Sequence, residues 1–97
     1  MYAVIFKATI KQLDDEYSQT AKRMRELATK KYGCIEFISS LEGDQEIAIS
    51  YWESEAQIIE WKQDLEHIKA QQLGAEKWYS YYSVEVVEIK RSYSSNS

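Results

Sequence analysis

The spacing of apolar side chains in this chain switches repeatedly between every second residue and every third or fourth, and the order of those switches restricts the folds open to it. From Tyr2 to Lys11 the period is two. Tyr2, Val4, Phe6, Ala8 and Ile10 share one face of an extended strand, and Ala3, Ile5, Lys7, Thr9 and Lys11 the other. After Leu13 the period lengthens to that of a helix, with Tyr17, Ala21, Met24, Leu27, Ala28 and Tyr32 on one stripe. Asp14, Asp15 and Glu16 sit at the end of this helix that favours negative charge. Lys30 and Lys31 sit at the other, and Gly33 closes it. The period then returns to two from Cys34 to Glu42 and from Gln45 to Trp52, two arms of a hairpin joined at Gly43 and Asp44. Ile47, Ile49 and Tyr51 are expected on the inner face of the second arm. Ser54 and Gln57 have the spacing of a capping box, opening a helix whose stripe is Ile58, Trp61, Leu65 and Ile68 and which stops at Gly74. A short helical turn is expected over Ala75 to Trp78, and a last strand over Tyr81 to Ser92.

Strand, helix, strand, strand, helix, strand predicts an α+β fold of the ferredoxin-like β-α-β-β-α-β kind. The sheet has four antiparallel strands with both helices on one face. The whole fits one domain, residues 1–92, with a serine-rich tail over 93–97 that is expected to fray. A chain of 97 residues buries only roughly 60–65% of its unfolded surface, so its own core is modest. The sheet face without helices is expected to present Ala3, Ile5, Cys34, Ile38, Ala48 and Trp52. That set is too apolar to leave wet, and a second copy of the same sheet would cover it, which predicts a homodimer.

Charge and ligand count narrow the function classes. Twelve basic against 16 acidic residues give a net charge of −4, with no one-signed stretch, which argues against nucleic-acid binding. Cys34 is the single cysteine, so no internal disulfide forms. With the single His67 it falls short of the four ligands of a structural zinc site. No apolar run approaches the ~20 residues of a membrane span, and the N-terminal apolar run is too short for a secretion signal, so a cytoplasmic protein with no membrane partner is expected.

Thirteen percent of the chain is aromatic, and this is where a binding site is to be sought. Trp61 lies on the buried stripe of the second helix, as a core anchor that can also form a pocket wall. Trp78, Tyr79, Tyr81 and Tyr82 fall within five residues. They could stack on a flat aromatic ligand and hold a phenolic oxygen, or pack at a dimer edge. His67 is the one side chain whose ordinary pKa lies near neutrality. On an unbroken helix it turns to solvent with Glu60, Asp64 and Gln71, and a break near Leu65 would change that. Cys34 reads as a small hydrophobe, and the carboxylates Asp14, Asp15, Glu16, Glu53 and Glu55 read as helix starts. No acid-base pair stands out.

The run Tyr51-Trp52-Glu53-Ser54, then Trp61-Lys62, Glu66-His67, Ala70-Gln71, Leu73-Gly74 and Glu76-Lys77-Trp78-Tyr79, resembles the antibiotic biosynthesis monooxygenase family of the dimeric α/β-barrel superfamily. The resemblance implies a dimer with its two sheets face to face and a pocket between sheet and helices in each subunit. It implies a small oxygenase acting on an aromatic, phenolic molecule without a tightly bound cofactor. His67 and Tyr82 would be catalytic, and Trp61, Trp78 and Tyr79 would bind substrate. The family also holds haem-degrading oxygenases, which combine an Asn, a Trp and an axial His. The one asparagine here is Asn96, in the tail. A dimer that binds a small molecule without turnover is the further alternative.

Overall fold

The computed structural model describes residues 1–95. Its elements are β1 (Tyr2–Ile10), α1 (Asp15–Glu26) running on into a π turn (Leu27–Lys31), β2 (Glu36–Glu42), β3 (Gln45–Trp52), α2 (Glu55–Gln63), α3 (Leu65–Leu73) with a second π turn (Gly74–Trp78), and β4 (Tyr79–Glu88). The sheet order is β2-β3-β1-β4, antiparallel throughout, as the expected ferredoxin-like arrangement requires. The last strand starts two residues before its predicted limit and stops four before it. Tyr93, Ser94 and Ser95 are exposed and outside regular structure, and Asn96 and Ser97 lie outside the described residues.

Local chemistry sets the element ends. Asp14 caps α1 by accepting from the Tyr17 backbone N–H at 2.8 Å, and its carboxyl is held below the usual carboxylate range chiefly by that bond. Ser54 and Gln57 form the full capping box that starts α2. Gly33 has φ +83°, and a Cβ there would meet Gln57 Nε2 at 2.7 Å, so both backbone and space call for glycine.

The predicted second helix is broken in two at Asp64, whose ψ of 133° ends α2 while its side chain caps α3 through the Glu66 N–H. The Tyr32 hydroxyl donates to Asp64 Oδ2 at 2.6 Å and Lys31 stands 3.6 Å away, so the first helix clamps the break in the second. Helical phase restarts after the break. Leu65, expected on the buried stripe, is 82% exposed, and Ile68 is exposed as well. His67, expected in solvent, is 8% exposed.

Strand register corrects the assignment of sheet faces. Tyr2 pairs with Trp52, Val4 with Ser50, Phe6 with Ala48 and Ala8 with Glu46. In β3 it is therefore Glu46, Ala48, Ser50 and Trp52 that face the helices, and Ile47, Ile49 and Tyr51 that face away, the reverse of expectation. Alternation favours the other face, because Ile47, Ile49 and Tyr51 form a more apolar set than Glu46, Ala48, Ser50 and Trp52. The choice follows from Trp52, which is fully buried against Val4, Leu27, Ile58 and Trp61. Cys34 also joins this core. It lies before β2 begins, with its N–H bonded to Ala28 O at 2.8 Å, so strand alternation does not apply to it. Ala3, Ile5 and Ile38 remain on the open face. Ile5, Ile49 and Ile38 stand in one row across β1, β3 and β2.

Candidate functional site

Between the helix-facing side of the sheet and the three helices lies a cavity of about 180 Å³. Its floor is apolar, from Val4, Phe6, Ala48 and Val84. Met24 and Ala21 of α1, Trp61 of α2 and His67 of α3 cover it. Arg25, exposed, and Lys62, half-buried, also reach its lining.

Two of the residues singled out from sequence meet here. Trp61 is 6% exposed and lies with its ring centroid 4.4 Å from that of His67, edge to face. It also packs on Phe37 and Trp52, so core anchor and cavity wall are one residue. Trp61 Nε1 and His67 Nδ1 are both buried, and neither has a hydrogen-bond partner among the described residues. Such orphans are uncommon, because a buried polar atom without a partner is costly. Burial, with the Lys62 charge adding to it and Asp64 opposing, pushes the His67 pKa down to about 4, so the imidazole is neutral near pH 7.

The other three candidates stand around the cavity and not in its lining. Trp78 is buried, with its Nε1 donating to Asp14 Oδ1 at 3.0 Å, which ties the second π turn to the start of α1. Tyr82 stacks on Phe6 with centroids 5.9 Å apart. Tyr79 packs against Phe6 and Tyr17 and donates its hydroxyl to Glu46 Oε2 at 3.1 Å.

Glu46 and Tyr17 were not picked out from sequence as site residues. Glu46 lines the cavity at 9% exposure, and the Tyr17 hydroxyl donates to its other oxygen. Burial, together with the neighbouring carboxylate, pushes both tyrosine hydroxyls above the usual phenol range, so both stay protonated donors. The sequence held a signal for this. Glu46 has the same parity as Trp52, and once Trp52 is placed inward a carboxylate follows it and must find donors. Tyr17 was already on the buried stripe of α1. No group of three His, Cys, Asp or Glu side chains suited to a metal is found among the described residues, and no helix is long and apolar enough to cross a membrane.

The residues present do not fit haem. The cavity of about 180 Å³ is close in size to one that takes up benzene, which leaves no room for a porphyrin.

No protein-family model matches the chain. It is 37% identical over 91 residues to YqjZ of Bacillus subtilis, an uncharacterised protein, covering 93% of this chain and 80% of that one. Among solved structures it is similar to SnoaB, a cofactor-independent oxygenase from Streptomyces nogalater. That match has a TM-score of 0.78 with 8% identity over 94% of each chain. It is likewise similar to an antibiotic biosynthesis monooxygenase (TM-score 0.68, 15% identity, 94% of this chain and 100% of that one). A conserved protein from Methanosarcina mazei matches with a TM-score of 0.79 and 17% identity over 92% of each chain. At these identities the structures speak for the fold, which is the one that the sequence resemblance implied.

Proposed function

Because the chain belongs to the family of Bacillus subtilis YqjZ and has the fold of the antibiotic biosynthesis monooxygenases, we propose that it is a small oxygenase. It takes an aromatic, phenolic molecule into the cavity and, like the SnoaB it resembles in fold, needs no tightly bound cofactor. The observation that carries this reading is the pair of buried, unpartnered nitrogens, Trp61 Nε1 and His67 Nδ1, on two residues that line a mostly apolar cavity. A ligand oxygen would give the Trp61 N–H its missing acceptor, and His67, neutral near pH 7, is free to accept a proton. The substrate loses a proton at its activated methylene carbon and becomes an electron-rich carbanion stabilised by the ring. That carbon then reacts with dioxygen. One oxygen atom enters as a carbonyl and the other leaves as water, so CH₂ and O₂ become C=O and H₂O with the substrate as sole reductant.

The experiment is oxygen uptake by the full chain over a panel of phenols with activated methylene groups. Uptake above buffer is expected, falling at least tenfold in His67→Ala, a loss on the scale of a removed general base. A second reading, a binder without turnover, draws on the low basicity of His67. Uptake equal to buffer across the panel, with tryptophan fluorescence still quenched by the same phenols, would decide for it.

The open sheet face supports a homodimer. The row Ile5, Ile49, Ile38, with Ile47, Tyr51 and Val87 around it, is an apolar patch that a second copy covers by a two-fold rotation. The unpaired thiol of Cys34 fits a reducing, cytoplasmic setting.

A further inference from the structure

Glu46 takes no part in the reaction just described, yet it is the one carboxylate built into the cavity wall. It is more than nine-tenths buried, and no lysine or arginine pairs with it among the described residues. Its two oxygens instead accept from Tyr17 and Tyr79. A carboxylate offers about four acceptor positions, and two tyrosine hydroxyls occupy two of them. What remains is acceptor capacity in a mostly apolar cavity, whose volume of about 180 Å³ is close to that of a cavity that takes up benzene. Glu46 comes from the sheet, and Trp61 and His67 come from the helices, so the polar groups stand on facing walls.

We infer that Glu46 is the specificity-determining residue of the site: it accepts a hydrogen bond from a hydroxyl or amine donor on the ligand and so selects single-ring aromatics that carry such a donor. The inference rests on the reading of the cavity as an aromatic site and adds to it a size limit and a second polar contact, on the edge of the ring away from Trp61 and His67. Tyr17 and Tyr79 are positioning residues, because two protonated hydroxyls can only donate to the carboxylate and hold its plane fixed. A donor that reaches Glu46 makes a charge-assisted bond, which a neutral imidazole of low basicity cannot match. A probe with one hydroxyl should therefore choose the carboxylate.

The test is a titration of the full-length chain with 4-methylphenol and with 4-methylanisole near pH 7, read by tryptophan fluorescence, since Trp61 lines the cavity. The two probes differ by the donor hydrogen and one methyl group. The phenol should bind the wild-type chain at least tenfold more tightly, as expected where a buried group goes unpaired with the wrong ligand. That preference should shrink to within about threefold in Glu46→Gln and survive in His67→Ala. Equal binding of both probes to the wild-type chain overturns the inference and leaves the aromatic site standing. A preference that persists in Glu46→Gln, or that disappears in His67→Ala, gives the hydroxyl to another acceptor and also overturns it. If neither probe binds, the aromatic site falls with it. Should Glu46→Gln fail to fold, judged by circular dichroism, Glu46→Asp, which keeps the carboxyl but draws it back by one methylene, takes its place, and a preference unchanged in it overturns the inference.

Discussion

His67 shows how much one backbone dihedral can decide. It is buried and neutral because Asp64, three residues earlier, leaves helical geometry and restarts the phase. Its protonation therefore couples to stability with a definite sign. The unfolded chain takes up the proton near pH 6.5 and the folded chain only near 4, so between these values the unfolded state holds more protons. Stability then falls as pH drops through that window, by about 2 kcal/mol at pH 5 and roughly 3 by pH 4. Urea unfolding of the wild-type chain at pH 7 and pH 5 should show this loss, and His67→Gln should lack it. An equal loss in both chains would return His67 to solvent. The carboxylates Asp14, Asp64 and Glu66, held below their usual range by hydrogen bonds, contribute mainly at lower pH and leave this window readable. At this scale the sequence was legible for Trp61, whose place on an apolar stripe needs only helical periodicity. It was not legible for His67, because a helix break capped by Asp64 and clamped by a tyrosine 32 residues away leaves no periodic trace. Glu46 was hidden for another reason: its burial depends on which face of β3 turns inward.

Among the elements, the break between α2 and α3 is the one on which the site depends. Asp64 serves as the end of one helix, the cap of the next and the acceptor for Tyr32. Asp64→Ala removes a cap and leaves the Tyr32 hydroxyl without its partner, so a loss of about 1–2 kcal/mol is expected in denaturant unfolding. The more telling readout is His67 itself. If the two short helices merge, the imidazole turns out and its pKa, followed by NMR, climbs from about 4 back toward its ordinary value. A pKa that stays put in Asp64→Ala would mean that packing against Trp61, and not the cap, holds the ring. Gly33→Ala tests a separate contact, between the end of the first helix and the start of α2. With φ at +83° and the new Cβ 2.7 Å from Gln57 Nε2, a cost of roughly 1–2 kcal/mol is expected. Element order and type were readable from period changes, and the helix starts from Asp14 and Ser54. The inner and outer faces of β3 were not, because Ile47, Ile49 and Tyr51 are more apolar as a set than Glu46, Ala48 and Ser50, and so point the wrong way. There the volume of Trp52 overrides alternation.

For the whole molecule, the sheet has one face closed by helices and one face open, and the open face carries isoleucines in register on three strands. Sedimentation equilibrium at micromolar concentration should give twice the chain mass. Ile49→Lys, which places an ammonium in the middle of the row, should weaken association at least a hundredfold while leaving the fold intact, since the side chain is not part of the core. A monomeric wild-type chain would mean that the face is simply wet. The sequence expectation placed Ala48 and Trp52 on this face, and the register puts Ile47, Ile49 and Tyr51 there in their place. The same sheet has a further consequence, for the chain during its synthesis. β1 is made before β3 and β4, yet it lies between them. The emerging segment Tyr2 to Ile10 therefore has neither of its sheet neighbours until residues 45–52 have left the ribosome, and gains the second only when β4 has followed. During that interval a short, apolar, proline-free stretch is open to pairing between nascent chains, so translation speed and chaperone supply should govern its soluble yield more than the final stability does.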